Sequence, residues 1–239
     1  MNVLTVLNED YCSYGRIFFD SLIKISDFER INKVYVIDTG IKQNTKKEFS
    51  SKYKKINFIN SEVNHLKTSH NTADWREIVA TKVKGLASLV REGKPPICMI
   101  DIDCYFKDNF IDEIDFSADI NVCKRKEPAV FRWPVVMTHI ASFFCVNNNK
   151  QGLDFLNMWI DKMLNMEDTH IETPALCELI PQVEHMLYIK HLDQDVVSSD
   201  SLTKESKIVH LKGGGSGYKS TFDWRVKRIE SVINKDDYI

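Results

Sequence analysis

Two aspartates, Asp101 and Asp103, are the residues whose type and spacing most directly suggest chemistry. They lie within the stretch Ile97 to Phe106, whose other residues are apolar or nearly so, as in a buried strand. Residues two apart on a strand point to the same side, so we expect both carboxylates to face one point at the strand's C-terminal end. Buried like charges repel unless a cation or hydrogen-bond donors compensate them. The pair therefore predicts a site for Mg²⁺ or Mn²⁺, hard cations that bind oxygen ligands and substrate phosphates.

The same two aspartates also have a purely structural interpretation. Asp103 would cap the following turn, and Asp101 would accept hydrogen bonds from backbone N–H groups. A D-x-D pair occurs by chance in many proteins. The position at the end of an apolar strand favours the metal site, because open α/β sheets bind ligands at the carboxyl ends of their strands.

A histidine and a glycine-rich segment come together near residue 210. His210 follows the short apolar run Ile208-Val209 and precedes Lys212 and four glycines, at 213, 214, 215 and 217. Glycine allows backbone N–H groups to approach an anion closely, so this segment is a candidate phosphate contact. The alternatives are a flexible surface loop and an ordinary surface histidine. The segment matches neither a Walker loop nor a dinucleotide-binding glycine turn.

Three further candidates have equally plain structural alternatives. Asp193-Gln194-Asp195 forms a second acidic site, although an aspartate before an apolar pair also begins many helices. Lys82 lies in a predicted helix, where a lysine is often solvated. Tyr11 follows the first strand and would either stack on a ring or cover the core.

The elements that must position these residues alternate along the first half of the chain. Short apolar strands alternate with amphipathic helices, an order typical of a parallel sheet with helices on its faces. The predicted strands are Val3 to Leu7, Val34 to Ile37 and Ile56 to Ile59, and a helix ending near Val90 leads to the aspartate-bearing strand.

The pattern changes after Phe106. Strands are predicted at Ile120 to Cys123 and Ile140 to Val146, separated by a long charged excursion from Lys124 to Thr138. An apolar helix follows at Leu153 to Leu164, and helical segments are expected to fill Pro174 to Ser199. A final strand at Ile208-Val209 delivers His210.

The composition is that of an ordinary globular protein. Of 239 residues, 43% are hydrophobic and 28% charged, and the formal net charge is −2, which gives no reason to expect nucleic-acid binding. The six cysteines show no metal-binding spacing and lie mostly in apolar runs, which suits a reducing cytosol. No stretch is apolar over the eighteen or so residues of a membrane span. We therefore expect a cytoplasmic protein.

Five segments carry these residues in order along the chain: Leu4 to Tyr11, Thr81-Lys82-Val83, Met99 to Cys104, Asp193-Gln194-Asp195 and Val209 to Gly213. Together they resemble, in the same order, motifs of the nucleotide-sugar glycosyltransferases of the GT-A fold. The resemblance is greatest to family 8, the group of glycogenin and the bacterial lipopolysaccharide galactosyltransferases. It implies a Rossmann-like α/β fold in which a mixed, mostly parallel sheet is flanked by helices. It also implies a single domain over residues 1–239, with a donor-binding half at about 1–106, an acceptor-side half at about 107–217 and a tail at 218–239.

The resemblance also implies roles for individual residues. The metal ligands would be Asp101, Asp103 and His210, and the catalytic residues near the reacting sugar would be Asp193 and Gln194. The donor would contact the metal ligands together with Leu7, Asn8, Tyr11, Lys82, Ile102, Lys212 and Gly213.

By this resemblance the protein moves a hexose from a nucleotide sugar, expected to be a UDP-sugar, to a glycan or glycoconjugate acceptor. The expected cofactor is Mn²⁺ or Mg²⁺, and the expected stereochemistry is retention. The chain departs from the family where Ser216 replaces the lysine of a K-P-W segment and where Ile140-Ala141-Ser142 replaces an N-S-G triplet. These departures leave a sugar-nucleotide-binding module without activity as one alternative. A nucleotidyltransferase is the other, because such enzymes also place carboxylates and Mg²⁺ at the strand ends of a similar sheet.

Overall fold

A computed structural model of the chain describes residues 1–61, 73–132, 135–147, 150–167, 171–198 and 205–211, with backbone alone at 73–75, 78, 131–132 and 135. Helices in this part of the chain are α1 (Cys12–Leu22), α2 (Gln43–Lys52), α3 (Ala73–Arg91), α4 (Lys150–Leu164) and α5 (Glu172–Val183). The strands are β1 (Asn2–Leu7), β2 (Lys33–Asp38), β3 (Ile56–Asn60), β4 (Ile97–Ile100), β5 (Cys104–Phe106), β6 (Ile120–Arg132), β7 (Val135–Val146), β8 (Ile189–Asp193), β9 (Val197–Ser198) and β10 (Ile208–His210).

Seven of these strands form one sheet in the order β3-β2-β1-β4-β7-β6-β8. Strands β3, β2, β1 and β4 are parallel, β7 is antiparallel to both β4 and β6, and β8 is parallel to β6. The sheet is thus mixed and mostly parallel, and the predicted fold class is confirmed. Strands β5, β10 and β9 form a separate small sheet at the carboxyl end of β4.

Each strand of the large sheet divides its side chains between two cores. Along β1, for example, Val3 packs with α1 and α2 residues such as Phe18 and Phe49, whereas Leu4 packs with the α3, α4 and α5 side. This alternation follows from the two-residue period of a strand. Trp159 of α4 is fully buried in the second core. Each such side chain contributes about 1.5–3 kcal/mol by leaving water.

Helix α3 approaches the sheet closely at Gly85. A Cβ atom at this position would overlap the Cδ1 atom of Ile37 on β2. Glycine therefore lets the helix backbone lie directly on the sheet. The same close approach brings Lys82, one turn earlier, to the edge where the strands end, and only 7% of Lys82 is exposed.

Three predictions of secondary structure were wrong. Strand β4 ends at Ile100, so Asp101 and Asp103 lie in a turn between two strands and not on one strand. The expected excursion from Lys124 to Thr138 mostly continues β6 and β7 as a two-stranded ribbon beyond the sheet. The region expected to be helical contains α5 but also β8 and β9.

None of the helices in the described ranges is long and apolar enough to cross a membrane.

Candidate active site

Backbone hydrogen bonds fix the turn that carries the two aspartates on both of its sides. The Asp101 N–H donates to the Ser142 carbonyl at 3.0 Å, which ties the turn to β7. The Cys104 N–H donates to the Asp101 carbonyl at 3.2 Å, and the Leu211 N–H donates to the Asp103 carbonyl at 2.8 Å. The carboxylates therefore project from a backbone held by the large sheet and by the segment after β10.

Antiparallel pairing of β10 with β5 brings His210 opposite Cys104, next to this turn. The His210 Nε2 atom lies 3.2 Å from the nearer Asp103 oxygen and 3.8 Å from an Asp101 oxygen. One ligand atom from each residue falls within 4.8 Å of the others. Among the described residues, this is the one group of three or more metal-ligating side chains whose ligand atoms lie this close together.

The donor set of this group fits a divalent cation. Two carboxylate oxygens and one imidazole nitrogen suit Mn²⁺, and the carboxylates alone suit Mg²⁺. All three side chains are partly buried, with 13% to 23% of each exposed, so an ion held here would remain partly accessible from solvent. The residues present therefore fit the cation that the resemblance implies.

Lys82 and Glu172 complete a charged network behind Asp101. The Lys82 ammonium pairs with an Asp101 oxygen and lies 2.6 Å from the Glu172 Oε1 atom. Burial would lower the pKa of Lys82, but Asp101 and Glu172 raise it above its ordinary value. Burial raises the pKa of Glu172 to about 7. The charge of Lys82 lowers this pKa, the charge of Asp101 raises it, and the net shift remains upward.

Sequence reasoning does not identify Glu172 as a site residue. It begins α5, and the indole N–H of Trp159 donates to its carbonyl at 3.1 Å. Trp159 is fully buried, so the start of α5 is anchored to the core. Its one sequence signal is a lone acid before an apolar helix, which is far too common to identify a site.

The first loop places Asn8 and Tyr11 beside the same cluster. The Asn8 Oδ1 atom accepts a hydrogen bond from the Tyr11 N–H at 3.0 Å, and this cap holds a short 3₁₀ turn after β1. Burial raises the pKa of Tyr11, and so do the charges of Asp103 and Asp101. Tyr11 therefore lies within electrostatic reach of the carboxylates. Leu7 is buried beneath the loop.

Asp193 and Gln194 are not among the three clustered ligands. Asp193 ends β8 and Gln194 follows it, and the chain then turns into β9, which pairs with the strand that carries His210. Asp193 is exposed, and the Gln194 carboxamide oxygen accepts a hydrogen bond from the Lys126 N–H at 2.9 Å. The Lys126 ammonium pairs with Asp195 at 2.5 Å. These contacts fasten the turn after β8 to the β6 ribbon.

The remaining predicted donor contacts are divided between described and undescribed residues. Ile102 lies in the turn between the two aspartates and is buried with the α1 core. Lys212 and Gly213, with the other glycines after His210, lie outside the described residues.

Strand β7 is irregular beside the aspartate turn. Val122 pairs with Phe144, but the next residue of β6, Cys123, pairs with Ile140, so Ala141, Ser142 and Phe143 form a bulge. Bulges of this kind often occur next to active sites, where they redirect side chains. The bulge contains two of the three residues that replace the N-S-G triplet.

Most of the chain matches a known protein family. Residues 34–220 match the model of the nucleotide-diphospho-sugar transferases. The chain belongs to this family. It is a nucleotide-sugar glycosyltransferase of the GT-A type related to family 8, as its sequence motifs predicted. No curated protein sequence matches this glycosyltransferase significantly.

Solved structures share the fold at low identity. The galactosyltransferase LgtC, in complex with donor and acceptor sugar analogues, superposes with a TM-score of 0.60 at 11% identity, over 98% of this chain and 96% of LgtC. The bifunctional glycosyltransferase WbbM gives 0.60 at 11% identity over 90% of this chain and 46% of WbbM. The glycosyltransferase GlyE of Streptococcus pneumoniae gives 0.56 at 11% identity over 98% of this chain and 62% of GlyE. The predicted GT-A architecture is thereby confirmed.

Proposed function

We propose that this glycosyltransferase moves a hexose from a UDP-sugar to a glycan or glycoconjugate acceptor, with a divalent cation and with retention of anomeric configuration. The observation that carries the proposal is the convergence of Asp101 and Asp103, from the turn between β4 and β5, with His210 at the end of β10. A purely structural role for the aspartates would not require a histidine 3.2 Å from Asp103.

Asp101, Asp103 and His210 would hold Mn²⁺ or Mg²⁺, which when bound neutralises the charge that develops on the departing diphosphate. Asn8 and Tyr11 hold the nucleoside at the end of β1, where Tyr11 supplies a ring for stacking. Lys82 orients Asp101 through their ion pair and contributes positive charge on the phosphate side. Leu7 and Ile102 support these residues from the core side, and we retain Lys212 and Gly213 as proposed phosphate contacts.

Glu172 is the acid that we assign to the sugar side of the donor. Its carboxyl group shares Lys82 with Asp101, so it lies next to the cluster that would hold the diphosphate. When ionised, this carboxylate would stabilise the positive character of the sugar carbon in the transition state. Asp193 and Gln194 remain the proposed catalytic residues near the reacting sugar, at the turn that leads from β8 to β9.

The test is release of free UDP from a panel of UDP-hexoses with Mn²⁺, compared with GDP-sugars and with a chelator. We expect slow, Mn²⁺-dependent UDP release from at least one UDP-hexose, and none from Asp101→Ala. Glu178→Gln, on the surface of α5, is the matched variant that should behave as the parent.

Each other outcome changes a specific part of the proposal. Release from GDP-sugars alone would assign a different donor, and release of pyrophosphate would indicate a nucleotidyltransferase. UDP binding without turnover, in the presence of several candidate acceptors, would indicate a binding module. Equal turnover with and without chelator would exclude the cation from the mechanism.

A further inference from the structure

The aromatic ring of Tyr14 joins the nucleoside side of the site to the metal side. Tyr14 lies in the first turn of α1, and its ring stacks on that of Tyr11 with centroids 5.4 Å apart and an interplanar angle of 29°. Offset stacked pairs of this kind contribute beyond their buried area. The position of the Tyr11 ring therefore depends on Tyr14.

The other side of Tyr14 contacts the strand that carries His210. Tyr14 packs in a small apolar cluster with Ile17, Tyr105, Val209 and Leu211. Val209 and Leu211 flank His210 in sequence, and side chains alternate along an extended segment. The two residues on either side of His210 therefore form a cluster against which the Tyr14 ring packs.

The segment after His210 is also tied directly to a candidate metal ligand. The Leu211 N–H donates to the Asp103 carbonyl at 2.8 Å. Movement of the cluster would consequently move Asp103 and His210 together. A contact that orders this cluster should make both groups better ligands, because less conformational entropy is lost when an ion binds.

From these contacts we propose that Tyr14 is a positioning residue, which couples occupancy of the nucleoside site at Tyr11 to cation binding at Asp103 and His210. A base stacked on Tyr11 orders the Tyr11–Tyr14 pair, and that pair orders the segment on either side of His210. The inference rests on the proposed function and adds to it a protein-borne coupling that does not pass through the diphosphate.

Uridine is the probe that isolates this coupling. It carries the base and ribose but no phosphate, so it cannot chelate the cation. Mn²⁺ affinity is measured with and without saturating uridine, from the EPR signal of the free aqueous ion. We expect uridine to strengthen Mn²⁺ binding about threefold to tenfold in the parent, the range that one aromatic pair supplies. By linkage, Mn²⁺ should strengthen uridine binding by the same factor.

Four variants separate coupling from simple loss of packing. Tyr14→Phe keeps the ring and should keep the factor. Tyr14→Ala and Tyr14→Leu remove the stacked ring, so uridine should no longer change the Mn²⁺ affinity. The leucine variant keeps an apolar side chain in the cluster, in case the alanine variant does not fold. Ile17→Ala loosens the same cluster outside the stacked pair, and should weaken Mn²⁺ binding while preserving most of the factor.

UDP supplies the control that separates this inference from the proposed function. In the parent and in both Tyr14 variants without the ring, UDP should still increase Mn²⁺ affinity, because the diphosphate binds the ion directly. If the parent responds to UDP but not to uridine, or if Tyr14→Leu keeps the parent's uridine factor, the coupling role is overturned. If the parent does not bind UDP in the presence of Mn²⁺, the proposed function fails and this inference with it.

Discussion

Replacement of Glu172 by glutamine should change how the stability of the empty protein depends on pH. The pKa of Glu172 is raised from 4.5 to about 7, chiefly by burial and also by Asp101. Between these two values the folded protein holds a proton that the unfolded chain has lost. The free energy of unfolding of the parent must therefore fall as pH rises through this window.

The size of the effect follows from the two proton affinities. One pKa unit corresponds to about 1.4 kcal/mol. Most of the change in protonation between the unfolded pKa of 4.5 and the folded pKa of about 7 occurs between pH 5 and pH 8. The Glu172 carboxyl should therefore remove roughly 2 kcal/mol of stability over that range. Glutamine resembles the protonated acid in shape and does not titrate. At pH 5 the variant should match the parent, and at pH 8 it should be more stable by about that amount.

Urea unfolding at pH 5, 6, 7 and 8, with a chelator and without nucleotide, measures this difference. Titrating groups that do not interact with Glu172 cancel when the variant is compared with the parent at each pH. Glu178→Gln is the matched control, because Glu178 is on the same helix but forms a partly exposed pair with Lys162 at 2.7 Å. Such pairs contribute about 0–1 kcal/mol, and we expect no trend with pH. A difference between Glu172→Gln and parent that stays constant within about 0.5 kcal/mol would refute the burial argument.

Three further predictions concern ligands. Asp101→Ala or Asp103→Ala should abolish Mn²⁺-dependent UDP binding in calorimetry while the circular dichroism spectrum is retained; parent-like binding by both variants would mean that the cation binds elsewhere. Tyr11→Ala should weaken UDP binding about tenfold or less while kcat at saturating donor stays nearly intact, and a defect confined to kcat would contradict nucleoside stacking. His210→Ala should weaken Mn²⁺ binding measured by EPR without loss of UDP binding in the absence of metal, whereas unchanged Mn²⁺ affinity would remove His210 from the ligand set.

Strands of the sheet could be predicted where each is a buried apolar run that ends in polar residues. Runs such as Val3 to Leu7 and Val34 to Ile37 are apolar over a strand's length and end in polar residues. Burial on both faces of the sheet requires such runs. The ribbon formed by β6 and β7 beyond the sheet is not buried in this way. Its charged residues therefore resembled a loop, although the backbone pairing continues.

Strand alternation predicts that the carboxylates of Asp101 and Asp103 face the same point. In the structure the two residues do not lie on one strand. Strand β4 ends before them, and a turn held by the Ser142 carbonyl and the Leu211 N–H presents both carboxylates. Such turn geometry depends on partners far apart in the sequence. Local periodicity therefore indicated the right residues through an incorrect local structure.

Glu172 shows why part of a charged site escapes sequence reasoning altogether. Its assignment depends on Lys82 and Asp101, which come from α3 and from the end of β4. None of the three has a spacing that relates it to another. Only the packing of α3 and α5 against the same face of the sheet brings these charges within hydrogen-bond distance.

The ion pair between Lys82 and Asp101 weakens one reason for expecting a cation at this site. From the sequence alone, repulsion between the two carboxylates indicates a cation, but in the structure Lys82 already compensates Asp101 and shares its charge with Glu172. Repulsion alone therefore does not require an ion. The stronger argument is geometric, because β10 pairs with β5 in the register that sets His210 beside Asp103. An imidazole that meets two carboxylates at the end of a sheet offers the nitrogen and oxygen donors that a divalent cation binds, whereas a lysine offers no lone pair to a cation.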